Sequence, residues 1–129
     1  MLNDPLANVL SHMNHHEKLG RKEILAVNNS KMIKTVLRIM NENNYVGEYK
    51  EIEDGKGGLL QIQLLGNINK TGVIKPRFNV KKVEYEKFEK RYLPAKDFGI
   101  IIVSTSQGMM THNQAKEKGL GGRLICYCY

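Results

Sequence analysis

The sequence lacks several features that would assign it to common protein classes. It has no tryptophan, only three prolines and two cysteines, and aromatic residues make up 7% of its 129 residues. No apolar run approaches the roughly 20 residues that a membrane-spanning helix needs. The opening stretch MLNDPLANVL has no basic region and no cleavage site. We therefore predict neither a secretion signal nor a membrane partner, and a cytoplasmic protein.

The two cysteines, Cys126 and Cys128, are too close in sequence for an ordinary disulfide. Alternation along a strand places both on one face, and the further ligands of a zinc site are missing. We predict two buried free thiols, since free cysteines are often buried.

Motifs for cofactors and catalysis are also missing. The sequence has no GxxxxGK[ST] and no GxGxxG after a strand, so we predict no cofactor and no small-molecule substrate. His12 and His16 are at helical spacing but have no third ligand, and we predict no metal site. A hydrolase using Ser104 or Ser106 is the alternative, with His112 as the base. The sequence reveals no acid to pair with that histidine, and the GxSxG glycines are absent.

Positive charge is concentrated in the second half of the chain. Residues 1–66 contain eight basic and eight acidic residues, whereas residues 67–129 contain twelve basic and five acidic ones. Such a field favours a polyanion, with nucleic acid first and an anionic membrane second. We place a domain boundary at this shift, which predicts an α/β domain over 1–66 and a basic domain over 67–129.

Residues 1–66 predict the element order α-β-α-β-β. Apolar residues at i, i+3, i+4 and i+7 indicate two helices: Leu6, Val9, Leu10 and Met13 in the first, and Ile33, Val36, Leu37 and Met40 in the second. Asp4 and Ser30 are the predicted caps. The strands are KEILAV, YVGEYKEI and LLQIQLL, with the turn-rich segment EDGKGG before the last. Lys31, Lys34 and Arg38 form a basic stripe that is either a solvated face or a contact surface.

Residues 67–129 predict a mainly β domain with short helices, which makes the whole protein α+β. INKTGVIKPRFNV is strand-like, with a turn at Thr71–Gly72 and Pro76 near an edge. EYEKFEKRYL and THNQAKEK predict helices, the second with a capping box from Thr111 to Gln114. GIIIVS and RLICYCY predict buried strands.

The stretch STSQGMMTHNQ follows the strand GIIIV and is rich in short polar side chains. A helix cap and a turn explain only part of it. Short hydroxyls and amides both donate and accept hydrogen bonds, and they are slim enough to enter the wide minor groove of A-form RNA. The segment therefore predicts a loop, held by a rigid strand, that contacts RNA.

STSQG, the helix after it and the closing GG strand resemble the small-ribosomal-subunit protein eight family. DPLANVL resembles the N-terminal helix of that family, and SK at 30–31 resembles the start of its second helix. GVIKPRFNV, RYLPAKDFGIIIVSTSQG and CYCY resemble its archaeal and eukaryotic branch. The resemblance covers nearly the whole chain, with several separated motifs in the family's order.

This resemblance implies two tightly associated α/β domains and a structural role without enzymatic activity. It implies a protein that binds an irregular helix in the central domain of small-subunit ribosomal RNA, helps assemble that domain, and adjoins other ribosomal proteins. Nothing in the sequence points to an oligomer, so we expect a monomer. A free-standing regulator that binds messenger RNA is a second possibility. The implied RNA-binding residues are Ser104, Thr105, Ser106, Gln107, Gly108, Thr111, Gly121, Gly122 and Arg123, with weaker contacts from Lys31, Ser11, Asn14 and His15.

Two features depart from the bacterial members of that family. Bacterial relatives have a glutamate where this chain has Arg123, so a fixed cation replaces an acceptor. The segment EYEKFEKRY is absent from bacteria, and we expect it either to face other ribosomal proteins or to fill the seam between the domains.

Overall fold

A computed structural model of the protein describes residues 5–26, 31–52, 59–75, 77–95 and 98–129. The chain divides into two compact units, Met1–Thr71 and Gly72–Tyr129. The predicted caps Asp4 and Ser30, the turn-rich segment 53–58 and Pro76 lie outside the described residues. Within the described ranges, no helix is long and apolar enough to cross a membrane.

The first unit has the predicted order α-β-α-β-β. Its elements are α1 (Pro5–Lys18), β1 (Glu23–Ala26), α2 (Lys31–Glu42), β2 (Val46–Ile52) and β3 (Leu59–Leu64). β3 is the central strand and pairs antiparallel with both β1 and β2. All eight residues of the predicted apolar stripes are buried, together with Ile39. The helical spacing therefore predicted both the helices and their buried faces.

The second sheet has the strand order β4-β8-β6-β7, and β5 also pairs with β8. Its strands are β4 (Thr71–Val73), β5 (Asn79–Val80), β6 (Ile100–Thr105), β7 (Gly108–Thr111) and β8 (Gly122–Cys128). Two α-helices accompany it, α3 (Tyr85–Tyr92) and α4 (His112–Lys118), and a short 3-10 helix (Lys82–Glu84) precedes α3. The fold is α+β, as predicted.

The acidic and aromatic segment supplies part of the core of the second unit. Tyr85 and Phe88 of α3 are buried with Ile101 and Val103 of β6. The Tyr85 hydroxyl donates a hydrogen bond to the Leu120 carbonyl at 2.9 Å. The helical spacing of the segment is confirmed. Its apolar face fills the core of its own unit, a position that differs from both the expected contact with other ribosomal proteins and the expected seam between the domains.

Two local predictions are wrong. Thr71 and Gly72, predicted as a turn, lie in β4. Gly72 suits this strand because a Cβ there would be only 3.1 Å from the Tyr127 hydroxyl. The segment from Gly108, predicted as part of a loop, forms the strand β7.

The two cysteines of the second sheet are buried, as predicted. Cys126 and Cys128 lie in β8, both 0% exposed, and neither forms a disulfide. The prediction of two buried free thiols is therefore confirmed.

Candidate nucleic-acid interface

The hydroxyl-rich segment forms the tip of a β-hairpin. β6 continues through Thr105, Ser106 and Gln107 form the turn, and β7 begins at Gly108. Thr105 pairs with Gly108 in the register of the two strands. Gly108 has φ of 107°, which residues with a side chain rarely adopt. We call residues 104–107 the hairpin tip.

Thr105 uses its hydroxyl to shape this tip. Its Oγ1 accepts a hydrogen bond from the Gln107 N–H at 3.1 Å and donates one to the Gly108 carbonyl at 2.8 Å. Such a local side-chain bond fixes a turn in the way that Ser, Thr and Asx turns do. The Thr105 hydroxyl therefore stabilises the hairpin through hydrogen bonds within the protein.

The other three side chains of the hairpin tip have unused polar groups. Ser106 and Gln107 are exposed, and Ser104 is partly exposed. In the described part of the chain, none of these three side chains makes a hydrogen bond within the protein. They combine donors and acceptors on a support whose inner residues, Ile101 to Val103, are fully buried.

The double glycine brings the start of β8 against the hairpin tip. A Cβ on Gly122 would lie 2.4 Å from the Ser104 carbonyl oxygen, and one on Gly121 would lie 2.5 Å from the Val80 carbonyl oxygen. Both distances are shorter than any side chain tolerates, so these two positions require glycine. The predicted grouping of residues 121–123 with the hairpin tip is thus a consequence of close backbone packing.

Arg123 extends this surface with a positive charge. It is opposite Ser104 in the register of β6 and β8, and opposite Asn79 in the register of β5 and β8. The exposed Arg123 donates from Nε to the Asn79 Oδ1 at 3.4 Å. Only one of the five guanidinium N–H groups is used in this contact, so the terminal nitrogens remain available to an anion. Sequence reasoning missed Asn79 because β5 is too short to produce a periodic pattern.

Thr111 lies away from this exposed surface. Its side chain is 5% exposed, and its Oγ1 accepts from the Gln114 N–H at 3.3 Å. The Gln114 Oε1 accepts from the Thr111 N–H at 3.1 Å, which completes the predicted capping box. Helix α4 ends at Gly119, whose φ of 68° is that of a left-handed cap.

The predicted contacts of the first unit differ in how available they are. Ser11 and His15 are exposed on one face of α1, and Lys31 is exposed at the start of α2. Asn14 instead binds the backbone of Thr71, the last residue of the first unit, with its amide donating to the carbonyl and accepting from the N–H. Its side chain is therefore occupied within the protein.

The basic stripe of α2 is largely neutralised. Lys34 forms an ion pair with Glu51 of β2, and Arg38 pairs with Glu42 at 3.2 Å. Lys31 stands apart from both ion pairs, and its backbone carbonyl accepts a hydrogen bond from Thr35. Of the three predicted cations, Lys31 is the one whose charge is least compensated.

The histidines of α1 form a ring cluster. The ring centroids of His12 and His16 are 4.4 Å apart, and those of His15 and His16 are 5.4 Å apart. Desolvation, followed by the charges of His12, Arg21 and His15, lowers the pKa of His16. Across the described ranges, no group of three or more potential metal-ligating side chains is assembled.

His112 has an acidic partner that the sequence did not reveal. The ring is 0% exposed, its Nδ1 accepts the Ile101 N–H at 3.1 Å, and its Nε2 is 3.2 Å from the Glu89 Oε1. Nδ1 is thus used by the backbone of β6, and Nε2 is buried beside the Glu89 carboxylate. This arrangement leaves no nitrogen to act as a base toward Ser104 or Ser106, as a hydrolase would need.

The sequence of the chain agrees with these observations. It matches the family described as Ribosomal protein S8 over residues 4–129. That match includes the hairpin tip, the double glycine and the first helix, and the family is one of structural RNA-binding proteins. The chain therefore belongs to the ribosomal protein S8 family and is a small-subunit ribosomal protein that binds ribosomal RNA.

Proposed function

We propose that this protein is a primary binder of small-subunit ribosomal RNA, at an irregular helix of the central domain, and helps that domain assemble. It acts without catalysis, as a monomer within the cytoplasmic ribosome, beside other small-subunit proteins. The observation that carries the proposal is the hairpin tip, where Ser104, Ser106 and Gln107 have unused hydrogen-bonding groups on a buried, rigid strand.

Attraction and selectivity come from different residues in this mechanism. The excess of twelve basic over five acidic residues in 67–129 draws the RNA in, and this attraction is salt-sensitive and independent of sequence. Arg123 contacts a phosphate while the hairpin tip enters the shallow groove. Its short hydroxyls and amide then contact 2′-hydroxyls and base edges, which report the shape of a distorted duplex.

The first unit adds a second and weaker footprint. Lys31, Ser11 and His15 are its exposed candidates. Two footprints on one RNA favour the conformer that fits both. The RNA is thereby stabilised in the form that later proteins recognise, by differential affinity for that conformer.

The decisive test replaces the free side chains of the hairpin tip. The double variant S106A/Q107A is expected to bind the central-domain transcript about tenfold or more weakly, because two hydrogen-bonding side chains are lost. Binding to a large-subunit rRNA transcript should not change. Equal losses for both transcripts would remove the selectivity role from the hairpin tip.

Sedimentation separates this proposal from the messenger-RNA regulator. In a sucrose gradient of cell extract, the protein is expected to migrate with the small subunit. A protein found only in the light fractions, bound to messenger RNA, would support the regulator instead. A serine-directed covalent probe should leave the protein unlabelled, whereas a hydrolase would react.

A further inference from the structure

Helix α3 reaches the base of the hairpin through one buried carboxylate. The Glu89 side chain is 4% exposed, and its Oε1 is 3.2 Å from the His112 Nε2. The same oxygen forms an ion pair with Lys116. His112 and Lys116 are four residues apart on α4, so Glu89 contacts two successive turns on one face of that helix.

The hydrogen bond to Ile101 fixes the tautomer of His112. The Ile101 N–H points at Nδ1, which must therefore present a lone pair. The ring proton of neutral His112 is consequently on Nε2, which lies 3.2 Å from the Glu89 Oε1. Contact with Glu89 thus favours the ring orientation in which Nδ1 accepts the Ile101 N–H.

This contact lies at the end of the hairpin ladder. Ile102 and Thr111 are the last paired residues of β6 and β7 on this side. The next pair would be Ile101 with His112, but the chain enters α4 at His112. The imidazole therefore accepts the N–H that a strand carbonyl would otherwise accept, and it closes the hairpin at the end opposite its tip.

We propose that Glu89 is the positioning residue of the RNA-contacting hairpin, acting through His112 and Lys116. This inference depends on the proposed function of the hairpin tip. A carboxylate from α3 holds α4 in place, α4 is capped by the last residue of β7, and β7 is one arm of the hairpin.

The core contacts of α3 allow positioning to be separated from folding. Tyr85 and Phe88 are buried independently of Glu89 and continue to hold α3 in the core. The variant Glu89→Leu removes the acceptor, and Lys116, whose side chain is 28% exposed, can then extend to water. The variant Glu89→Gln keeps an uncharged oxygen of the same size beside the His112 Nε2, but it has no charge for Lys116.

The test measures the binding of these variants to transcripts of the two ribosomal RNAs. Glu89→Leu is expected to bind small-subunit rRNA about tenfold more weakly while its binding to large-subunit rRNA stays unchanged. Glu89→Gln should remain within about twofold of the unmodified protein. Hydrogen exchange of the Ile101 amide should accelerate in Glu89→Leu only. A folded Glu89→Leu with full affinity, or a Glu89→Gln as weak as Glu89→Leu, would overturn the proposal.

A second pair of variants decides the matter if Glu89→Leu does not fold. His112→Asn retains an acceptor near the position of Nδ1, whereas His112→Phe has none. The asparagine variant should keep the selectivity for small-subunit rRNA that the phenylalanine variant loses, and equal binding by the two contradicts the positioning role. The S106A/Q107A variant in the same assay identifies the level at fault. If it also binds normally, the proposed function fails, and if it alone binds weakly, only the role of Glu89 fails.

Discussion

Gly122 is packed against the backbone of Ser104, so closely that a Cβ at position 122 would be 2.4 Å from the Ser104 carbonyl oxygen. This carbonyl is backbone and cannot rotate away as a side chain can. The start of β8 and the hairpin tip therefore occupy fixed positions relative to each other.

Gly122→Ala is expected to destabilise the protein by about 1–3 kcal/mol, because the added methyl group forces the two strands apart. The matched control is Gly72→Ala in β4, where the nearest atoms belong to the Tyr127 side chain and not to backbone. Urea unfolding compares the two variants. A larger loss for Gly72→Ala would contradict the role of backbone packing at Gly122.

Thr105→Val is expected to weaken the hairpin, since the hydroxyl has two hydrogen bonds within the turn. The loss should be about 1–2 kcal/mol in the free energy of unfolding. Ser106→Ala is the control, because its exposed hydroxyl has no such bonds, and its stability should change by less than about 0.5 kcal/mol. Thermal melts followed by circular dichroism measure both. Equal stability of the two variants would show that the Thr105 hydroxyl does not stabilise the turn.

Lys31→Met is expected to flatten the slope of log binding constant against log salt concentration by roughly one unit, which corresponds to one lost phosphate contact. Lys34→Met is the control, because Glu51 already compensates the charge of Lys34, and its slope should change less. Filter binding across a range of salt concentrations provides both slopes. A larger change for Lys34→Met would assign the contact to the paired lysine.

Tyr85→Phe is expected to cost about 1 kcal/mol, since the buried hydroxyl donates to the Leu120 carbonyl. Desolvation also raises the pKa of the Tyr85 phenol in the folded protein. In the unfolded chain the phenol loses its proton near its ordinary pKa of about 10, so stability decreases as pH rises above that value. The variant should therefore have a flatter stability profile above about pH 10. Alkaline unfolding curves of identical steepness would refute this assignment.

The sequence predicted elements whose signals are local. The stripes of α1 and α2 and the capping box of α4 depend on residues within a few positions of each other, and all three are present. β7 was missed because Met109 and Met110 have no strong β-propensity and follow a turn-rich segment. The pairing of His112 with Glu89 was missed because it joins two elements far apart in sequence, and no periodicity reports such a contact.

The interface followed the same rule. The hairpin tip was predicted from its residue types and the double glycine was predicted as a tight entry to the last strand, whereas a role of these glycines in RNA binding came only from the family resemblance. Whether each hydroxyl points outward or into the fold was not predictable from composition. Thr105 and Thr111 are the same residue type as many RNA-contacting residues, yet their oxygens bind their own backbone.

The enclosed thiols of Cys126 and Cys128 have a practical consequence for studies of this protein. Because both thiols are 0% exposed, a reagent reaches these sulfurs only when the packing around β8 opens. The rate of labelling by a thiol dye thus measures how fast the packing around β8 opens, and β8 is also the strand that contains Arg123. Bound RNA that stabilises this strand should slow the labelling, so the natural cysteines can be used to follow RNA binding over time.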